Sequence, residues 1–364
     1  MHARRAPLTQ PAAPAILGPM DIRRDDLDAA VDAGILDAAA RDRVLAFVRA
    51  RAQGTSGPDD ESFRLLTGFN DIFVTLACVL LLGAIPALLP NLPAAAVMAA
   101  ASWGLAEYFT ARRRMALPSI LLLLAFVGSV FAVTFLAVTW GGHMGRAAQQ
   151  AFGQGFTTAL WAPLMVSGLA GAAAAALHWR RFRVPITLAA GAAALAVGAV
   201  ALAGSFLGER AVPGMALLSG LAIFGLAMRY DISDRERLTR STDIAFWLHL
   251  LAAPLIIHPI FALSGLMDAA PGPGAALLVL VVYLALTLVA LAIDRRALLV
   301  SALAYVIFAL QGLFESGQVA AGFGLTALVL GTFLVMLSAA WGSLRRRLLL
   351  QLPAGWTGHL PLPG

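Results

Sequence analysis

The chain has 364 residues, 60% of them hydrophobic and 13% charged, with a formal net charge of +6. Soluble domains average roughly 45–50% apolar and about 25% charged residues, so a single aqueous core cannot hide this much apolar surface, and the balance points to an integral membrane protein. All 26 basic residues are Arg; they lie in separate turns and form no continuous stripe, which argues against a nucleic-acid surface.

Residues 1–20 are rich in Pro and Ala and contain no apolar signal-peptide core, so they are expected to be a disordered tail, with Met20 as an alternative start. Residues 21–53 are expected to form a cytosolic helical hairpin. Gly34 is placed to close the first helix in a left-handed cap, and Asp37 to cap the second. Between residues 21 and 62 there are six Arg against nine Asp and one Glu, a field that repels phosphate. Two helices of this size bury too little to stand alone, so the hairpin is expected to dock on a protein partner, on a second copy or on the membrane domain. Residues 54–66 are expected to be a linker.

Residues 67–343 contain ten apolar stretches, at about 69–89, 92–111, 116–139, 157–178, 185–206, 211–229, 243–265, 275–293, 297–314 and 319–343. Most have the roughly 20 residues needed to cross a bilayer. Their connections alternate in charge. Arg64, Arg112 to Arg114, Arg180, Arg181, Arg183, Arg229, Arg235, Arg237, Arg240, Arg295, Arg296 and Arg345 to Arg347 fall on one side, and only Arg146 and Arg210 on the other. The positive-inside rule reads this as an all-α bundle of ten spans with both termini cytoplasmic. The Arg corners look alike: RRMALPSIL from Arg113, RRFRVPITL from Arg180 and RRALLVSAL from Arg295. Any tight basic turn converges on such a pattern, so duplication is the weaker explanation. Residues 344–364 carry three Arg, a run of Leu and Trp356, and are expected to lie as an interfacial tail on the cytosolic leaflet.

Gly68-Phe69-Asn70-Asp71-Ile72-Phe73 at the entry to the first span, Gly34-Ile35-Leu36-Asp37 in the hairpin and the Arg-rich, Leu-Pro tail from Arg345 to Pro353 resemble a group of uncharacterised bacterial multi-pass membrane proteins. Members carry a short N-terminal helical hairpin before an Ala/Gly/Leu-rich membrane domain. The resemblance implies a bacterial inner-membrane location and brings no activity or catalytic residue with it.

Ionisable groups inside a span are functional candidates because burying charge there is costly. Asp71 and Asp243 open spans and are expected to cap helix N-termini. Glu107 sits about one turn from the end of the second span, on a face with Trp103 and Arg114, and is expected either to reach an interfacial Arg or to carry a proton. The seventh stretch holds His249, Pro254, His258 and Pro259. The two histidines lie nine residues apart, on opposite faces, and cannot share a metal on a straight helix. Pro254 breaks the backbone ladder, so His249 beside it is a candidate substrate or proton contact. Tyr305 and Gln311 on the ninth stretch, with Tyr283 and Thr287 on the eighth, line a polar path or hold helices together. Gly204 and Gly208 make one small-residue packing pair.

No HExxH, GxSxG or Walker sequence occurs, and neither a cofactor nor a metal is expected. Tyr230-Asp231 matches half of an intramembrane aspartyl protease motif, but no second Asp follows Gly322-Phe323-Gly324. The expectation is a non-enzymatic inner-membrane component, a sensor, assembly or scaffold protein whose hairpin binds a partner. The alternative is a secondary permease for a small solute, with its site around the seventh to ninth spans. A cavity at the membrane midplane would separate the two.

Overall fold

The structure, a computed structural model, describes residues 24–53, 69–141, 160–235, 237, 239–265, 273–296, 298, 299, 303, 306, 307, 322–353 and 360. All regular structure among these residues is helical. The chain divides into two compact units, Met1–Ser62 and Phe63–Gly364.

In the first unit, helices α1 (Arg24–Asp32) and α2 (Ala38–Gln53) form the expected hairpin. The chain leaves α1 through Gly34 at φ +69°, a left-handed value that glycine adopts without a Cβ clash. The Gly34 amide donates to Val31 O at 3.0 Å and the Ile35 amide to Ala30 O at 2.9 Å, which is the Schellman closure. Asp37 Oδ1 accepts from the Ala40 amide and caps α2. Arg41 joins the helices by pairing with Asp28 at 2.9 Å. Its side-chain hydrogen bonds to Asp42 and Asp28 raise its guanidinium above the ordinary arginine value.

The second unit contains α3 (Phe69–Leu88), α4 (Asn91–Ala106), α5 (Ala116–Gly141), α6 (Trp161–Phe182), α7 (Ile186–Leu207), α8 (Val212–Ser233), α9 (Arg240–Leu263), α10 (Pro273–Ile293) and α11 (Gly322–Gln351). A six-residue π-helical segment, Glu107–Arg112, continues α4. Among the described residues seven helices are long and apolar enough to cross a bilayer: α3, α5, α6, α7, α8 with the 3-10 turn before it, α9 and the Ala327–Gln351 part of α11. Leu277–Ile293 of α10 is a shorter apolar stretch. Most of the expected ninth span, 297–314, lies outside the described residues. The last helix does not stop near residue 343. It runs on through Arg345–Arg347 to Gln351, and Leu348, Leu349 and Leu352 pack on the hydrophobic cluster shared by α9, α10 and α11. Residues 344–351 of the expected tail therefore continue α11, with leucines at helical spacing extending its buried stripe, while residues 354–359 and 361–364 lie outside the described residues.

The core is a series of four clusters taken in chain order. Cys78, Leu82, Ala106 and Leu122 join α3, α4 and α5. Leu123, Phe126, Val127, Ala174, Ala175 and Ile186 join α5, α6 and α7. Ala189, Ala196, Ile223, Ala227, Leu248 and Ala252 join α7, α8 and α9. Ile257, Phe261, Tyr283, Leu330 and Trp341 join α9, α10 and α11. Outward-facing Phe73, Leu80, Leu81, Leu284, Leu328 and Val335 remain exposed, as lipid-facing residues do.

Close helix contact comes from positions other than the expected glycine pair. A Cβ at Gly168 would meet Ala194 O at 2.6 Å and the Gly198 amide nitrogen at 2.7 Å, so α6 and α7 touch backbone to backbone there. Gly220 brings α8 against the Leu255 carbonyl of α9 in the same way. Gly204 instead receives the ring of Trp161, and Gly208 ends α7 at φ +82° with no neighbour near its missing Cβ. The Arg corners also differ from one another. The left-handed residue is Arg114 at the first, Arg183 at the second and Asp294 at the third, each at a different register in the shared string.

Candidate functional site

Apart from Asp71 on α3, the buried Asp and Arg side chains described in the second unit gather where the Arg-bearing ends of α8, α10 and α11 meet the start of α9. Asp231, in the last turn of α8, is 2% exposed, and His249, two and a half turns into α9, is 0% exposed. His249 Nε2 lies 2.8 Å from Asp231 Oδ2. Arg295, just past α10, is 1% exposed; its Nη2 pairs with Asp231 Oδ1 and its Nε donates to Oδ2 at 3.3 Å. Arg295 Nη2 also donates to Thr242 O at 3.3 Å.

A carboxylate held by arginine can only accept, so the imidazole must donate through Nε2. That fixes its tautomer and leaves Nδ1 buried without a hydrogen-bond partner. The Phe224 ring stands T-shaped to His249 at 5.2 Å. The triad thus ties α8, α9 and the end of α10 together through one carboxylate.

A second knot lies beside it. Asp294 Oδ2 pairs with Arg237 at 3.0 Å, and Asp294 Oδ1 accepts from Trp341 Nε1 of α11 at 2.8 Å. Arg345, buried on α11, approaches Oδ1 at 3.8 Å. Arg237 also donates to Asp294 O at 3.0 Å and Ile293 O at 3.4 Å, which satisfies carbonyls left open at the end of α10. Burial pushes the Arg237 guanidinium below its ordinary value and neighbouring Arg295 adds to this, while Asp294 opposes it. Asp234 organises the turn between α8 and α9: its Oδ2 accepts from the Thr239 amide at 2.8 Å and from the Thr239 and Thr242 hydroxyls at 2.7 and 2.9 Å.

Of the residues singled out in the sequence, His249 belongs to this network and meets a carboxylate. α9 runs unbroken through Pro254, which faces outward, as does His258. Glu107 stands apart. It forms a two-point pair with Arg181 at 3.0 and 2.7 Å, on a half-exposed surface, and not with Arg114. Tyr305 and Gln311 lie outside the described residues. Tyr283 is buried on α10, and Thr287 spends its hydroxyl on the Tyr283 carbonyl of its own helix at 2.8 Å.

The two expected caps are placed differently. Asp71 Oδ2 accepts from the Ala116 amide at 3.2 Å, so it caps α5 across a helix interface. At α9 the capping side chain is Thr239, which accepts from the Ser241 amide at 3.2 Å, while Asp243 sits within the first turn.

Of the three residues central to the site, Asp294 was not marked in the sequence, Asp231 was weighed only as half of a protease motif, and Arg295 only as a basic residue of an Arg corner. The available signal was an acid inside an otherwise basic turn, at Asp231 after Arg229 and at Asp294 before Arg295. His178 of α6 was missed as well. It is fully buried among Trp103, Phe126 and Phe182, with Nδ1 3.4 Å from the Thr187 hydroxyl.

Among the described residues no three His, Cys, Asp or Glu come together as a metal site would require. The fold and the network together define a helical membrane protein with buried ion pairs at the Arg-bearing helix ends. No family model, no curated protein and no solved structure matches the chain.

Proposed function

We propose that the chain is a multi-pass membrane component without catalytic machinery, a sensor, assembly or scaffold protein that uses the hairpin of α1 and α2 to bind a protein partner or a second copy. One observation carries this reading: Asp231 and Asp294 are both neutralised by arginines from neighbouring segments. The buried charge is therefore engaged in holding helices together and does not face a solute. On the hairpin, Ile35 and Val44 are exposed and apolar, as a contact surface needs.

In this reading the chain crosses a bacterial inner membrane ten times with both termini cytoplasmic. The alternation of Arg-rich and Arg-poor connections supports that orientation. So do the pairs Glu107–Arg181 and Arg237–Asp294, which bring neighbouring Arg turns side by side. The bilayer is the first partner, and no nucleic acid or cofactor is invoked. Photo-crosslinking from Ile35 and Val44 in native membranes is the direct test. A discrete protein adduct is expected, and labelling of lipid alone would overturn the proposal.

A permease remains the second reading, favoured by the unpartnered Nδ1 of His249. It requires a proton or solute to reach that nitrogen. Proteoliposomes loaded with a pH-sensitive dye should leak no faster than protein-free vesicles; a flux abolished by His249→Ala would reverse the choice.

A further inference from the structure

The Arg-bearing helix ends use their arginines in opposite ways. From α8 to α11, Arg237, Arg295 and Arg345 turn inward to Asp294 and Asp231. At the corners α4–α5 and α6–α7, by contrast, Arg112 to Arg114, Arg180, Arg181 and Arg183 are all exposed. Two of these six are engaged. Arg181 holds Glu107 at 2.7 Å, and Arg113 donates to the Tyr108 hydroxyl at 3.0 and 3.2 Å. The guanidinium groups of Arg112, Arg114, Arg180 and Arg183 meet no acceptor among the described residues.

The Glu107–Arg181 pair sets the two corners side by side. Glu107 opens the π-helical segment that ends at Arg112, and Arg181 follows Arg180 directly. The corner sequences EYFTARRR and RRFR hold six arginines and one acid between them. Asp71, which touches Ala116 just past the first corner, is buried.

Backbone geometry distinguishes two of the four unengaged cations. Arg114 has φ +54° and Arg183 φ +53°, a left-handed conformation that L residues adopt at a cost. Arg237, with φ +55°, uses the same conformation to reach Asp294 and two helix-end carbonyls. The side chains of Arg114 and Arg183 do no such capping, so each corner holds a cation outward on a strained backbone. Strain of this kind gathers at ligand clamps.

The depth of the patch points to its anion. On α6, Leu177 lies about one turn before Arg181 and Leu169 about two turns before that, 53% and 57% exposed. The basic corner therefore continues into an apolar stripe that faces lipid. On α4, Tyr108 stands 42% exposed with the Arg113 guanidinium 5.5 Å from its ring centre, as aromatics at a membrane interface do. A free phosphate would meet only the arginines, whereas a phospholipid meets the cations and the stripe together.

We propose that the two corners hold the headgroup phosphate of one anionic phospholipid, with Arg112 and Arg114 on one side and Arg180 and Arg183 on the other. An acyl chain runs along Leu177 and Leu169. The planar fork of arginine suits phosphate oxygens, and clusters of about four to eight basic residues at membrane helix ends select anionic lipids. The site requires only that these helix ends stand at a bilayer surface. It holds whether the chain binds a partner or moves a solute, and its failure would leave both of those readings untouched.

The test is lipid retention by the full chain in non-ionic detergent, read by native mass spectrometry with equimolar dioleoyl phosphatidylglycerol and dioleoyl phosphatidylcholine. Retention of the anionic lipid by about tenfold over the zwitterionic one is expected. Arg114→Gly with Arg183→Gly removes two cations and relaxes both backbones, so the ratio should fall at least about threefold with no loss in thermal midpoint. Adding Arg112→Gln and Arg180→Gln should bring it close to one, and lysine at all four positions should keep most of it. Arg346→Gln with Arg347→Gln, exposed at the end of α11, should leave it unchanged. A ratio that survives the glycine pair, or falls as far with the α11 pair, belongs to the basic surface at large and overturns the proposal. The glycine pair decides the matter if the fourfold variant fails to fold. Displacement of the lipid by equimolar inorganic phosphate overturns it too, since that outcome marks a site for a soluble anion.

Discussion

His178 and His249 are both wholly buried, yet their surroundings have little in common. His178 sits between α4, α5 and α6 in a box of three aromatic rings, with one long contact to Thr187. Nearly three turns back along the same helix, α6 and α7 meet at Gly168, close enough that no side chain fits between them. His249 sits where α8, α9 and α10 converge, clamped to a carboxylate that also holds an arginine. Both arrangements answer one problem. Lipid tails are as apolar as leucine, so helices in a membrane gain little from hiding apolar surface against each other. They associate through close van der Waals packing of small residues or through polar bonds. The region around α6 and α7 uses the first route, rich as it is in Ala and Gly. The region from α8 to α11 has one such close approach, at Gly220, packs mainly Leu, Ile and Phe between α9, α10 and α11, and secures its Arg-bearing ends with ion pairs.

The contrast is broken most severely by Arg295→Ala, which leaves Asp231 buried with its main counter-charge gone. A loss of about 3–5 kcal/mol is expected, read as a large drop in the thermal midpoint of the purified protein. Combining it with Asp231→Ala should recover part of that loss, because the stranded charge is removed as well. Gly168→Ala attacks the other region: its Cβ would strike backbone atoms that cannot rotate away, so a loss of about 1–3 kcal/mol is expected from forcing α6 and α7 apart.

The histidines can then be compared under one substitution. His249→Phe deprives Asp231 of a buried donor and should cost about 1–3 kcal/mol. His178→Phe discards an imidazole whose Nε2 has no partner, and should change stability by less than about 1 kcal/mol. Equal losses at the two positions would show that the two histidines play the same structural part. Smallest of all should be Glu107→Gln. Its pair with Arg181 is half-exposed and screened, so the midpoint should move by no more than about 1 kcal/mol implies.

Much of the helical framework is legible in the chain. The apolar stretches, the turn at Gly34 and the cap at Asp37 are local features, decided by spans of a few to twenty residues. The network was harder to see for a physical reason. Arg295 counts correctly as one more basic residue in a turn, yet its role depends on Asp231, 64 residues earlier, and on His249 between them. Asp231 by itself resembles an interfacial acid beside Arg229. Nothing local distinguishes a carboxylate that meets water from one that meets a guanidinium on another helix. The same holds for Asp71, whose type and helix-end position suggested a cap. Only the packing of α3 against α5 reveals which helix receives it.

Composition and periodicity alone therefore determine that this protein is a bundle of apolar helices with its arginines at alternate ends, because hydrophobic length and loop charge are read one segment at a time. The tertiary structure decided which of those arginines are surface charges and which are internal fasteners. It also decided that His249 faces a carboxylate. Those are relations between distant segments, and their energies exist only once the helices have packed.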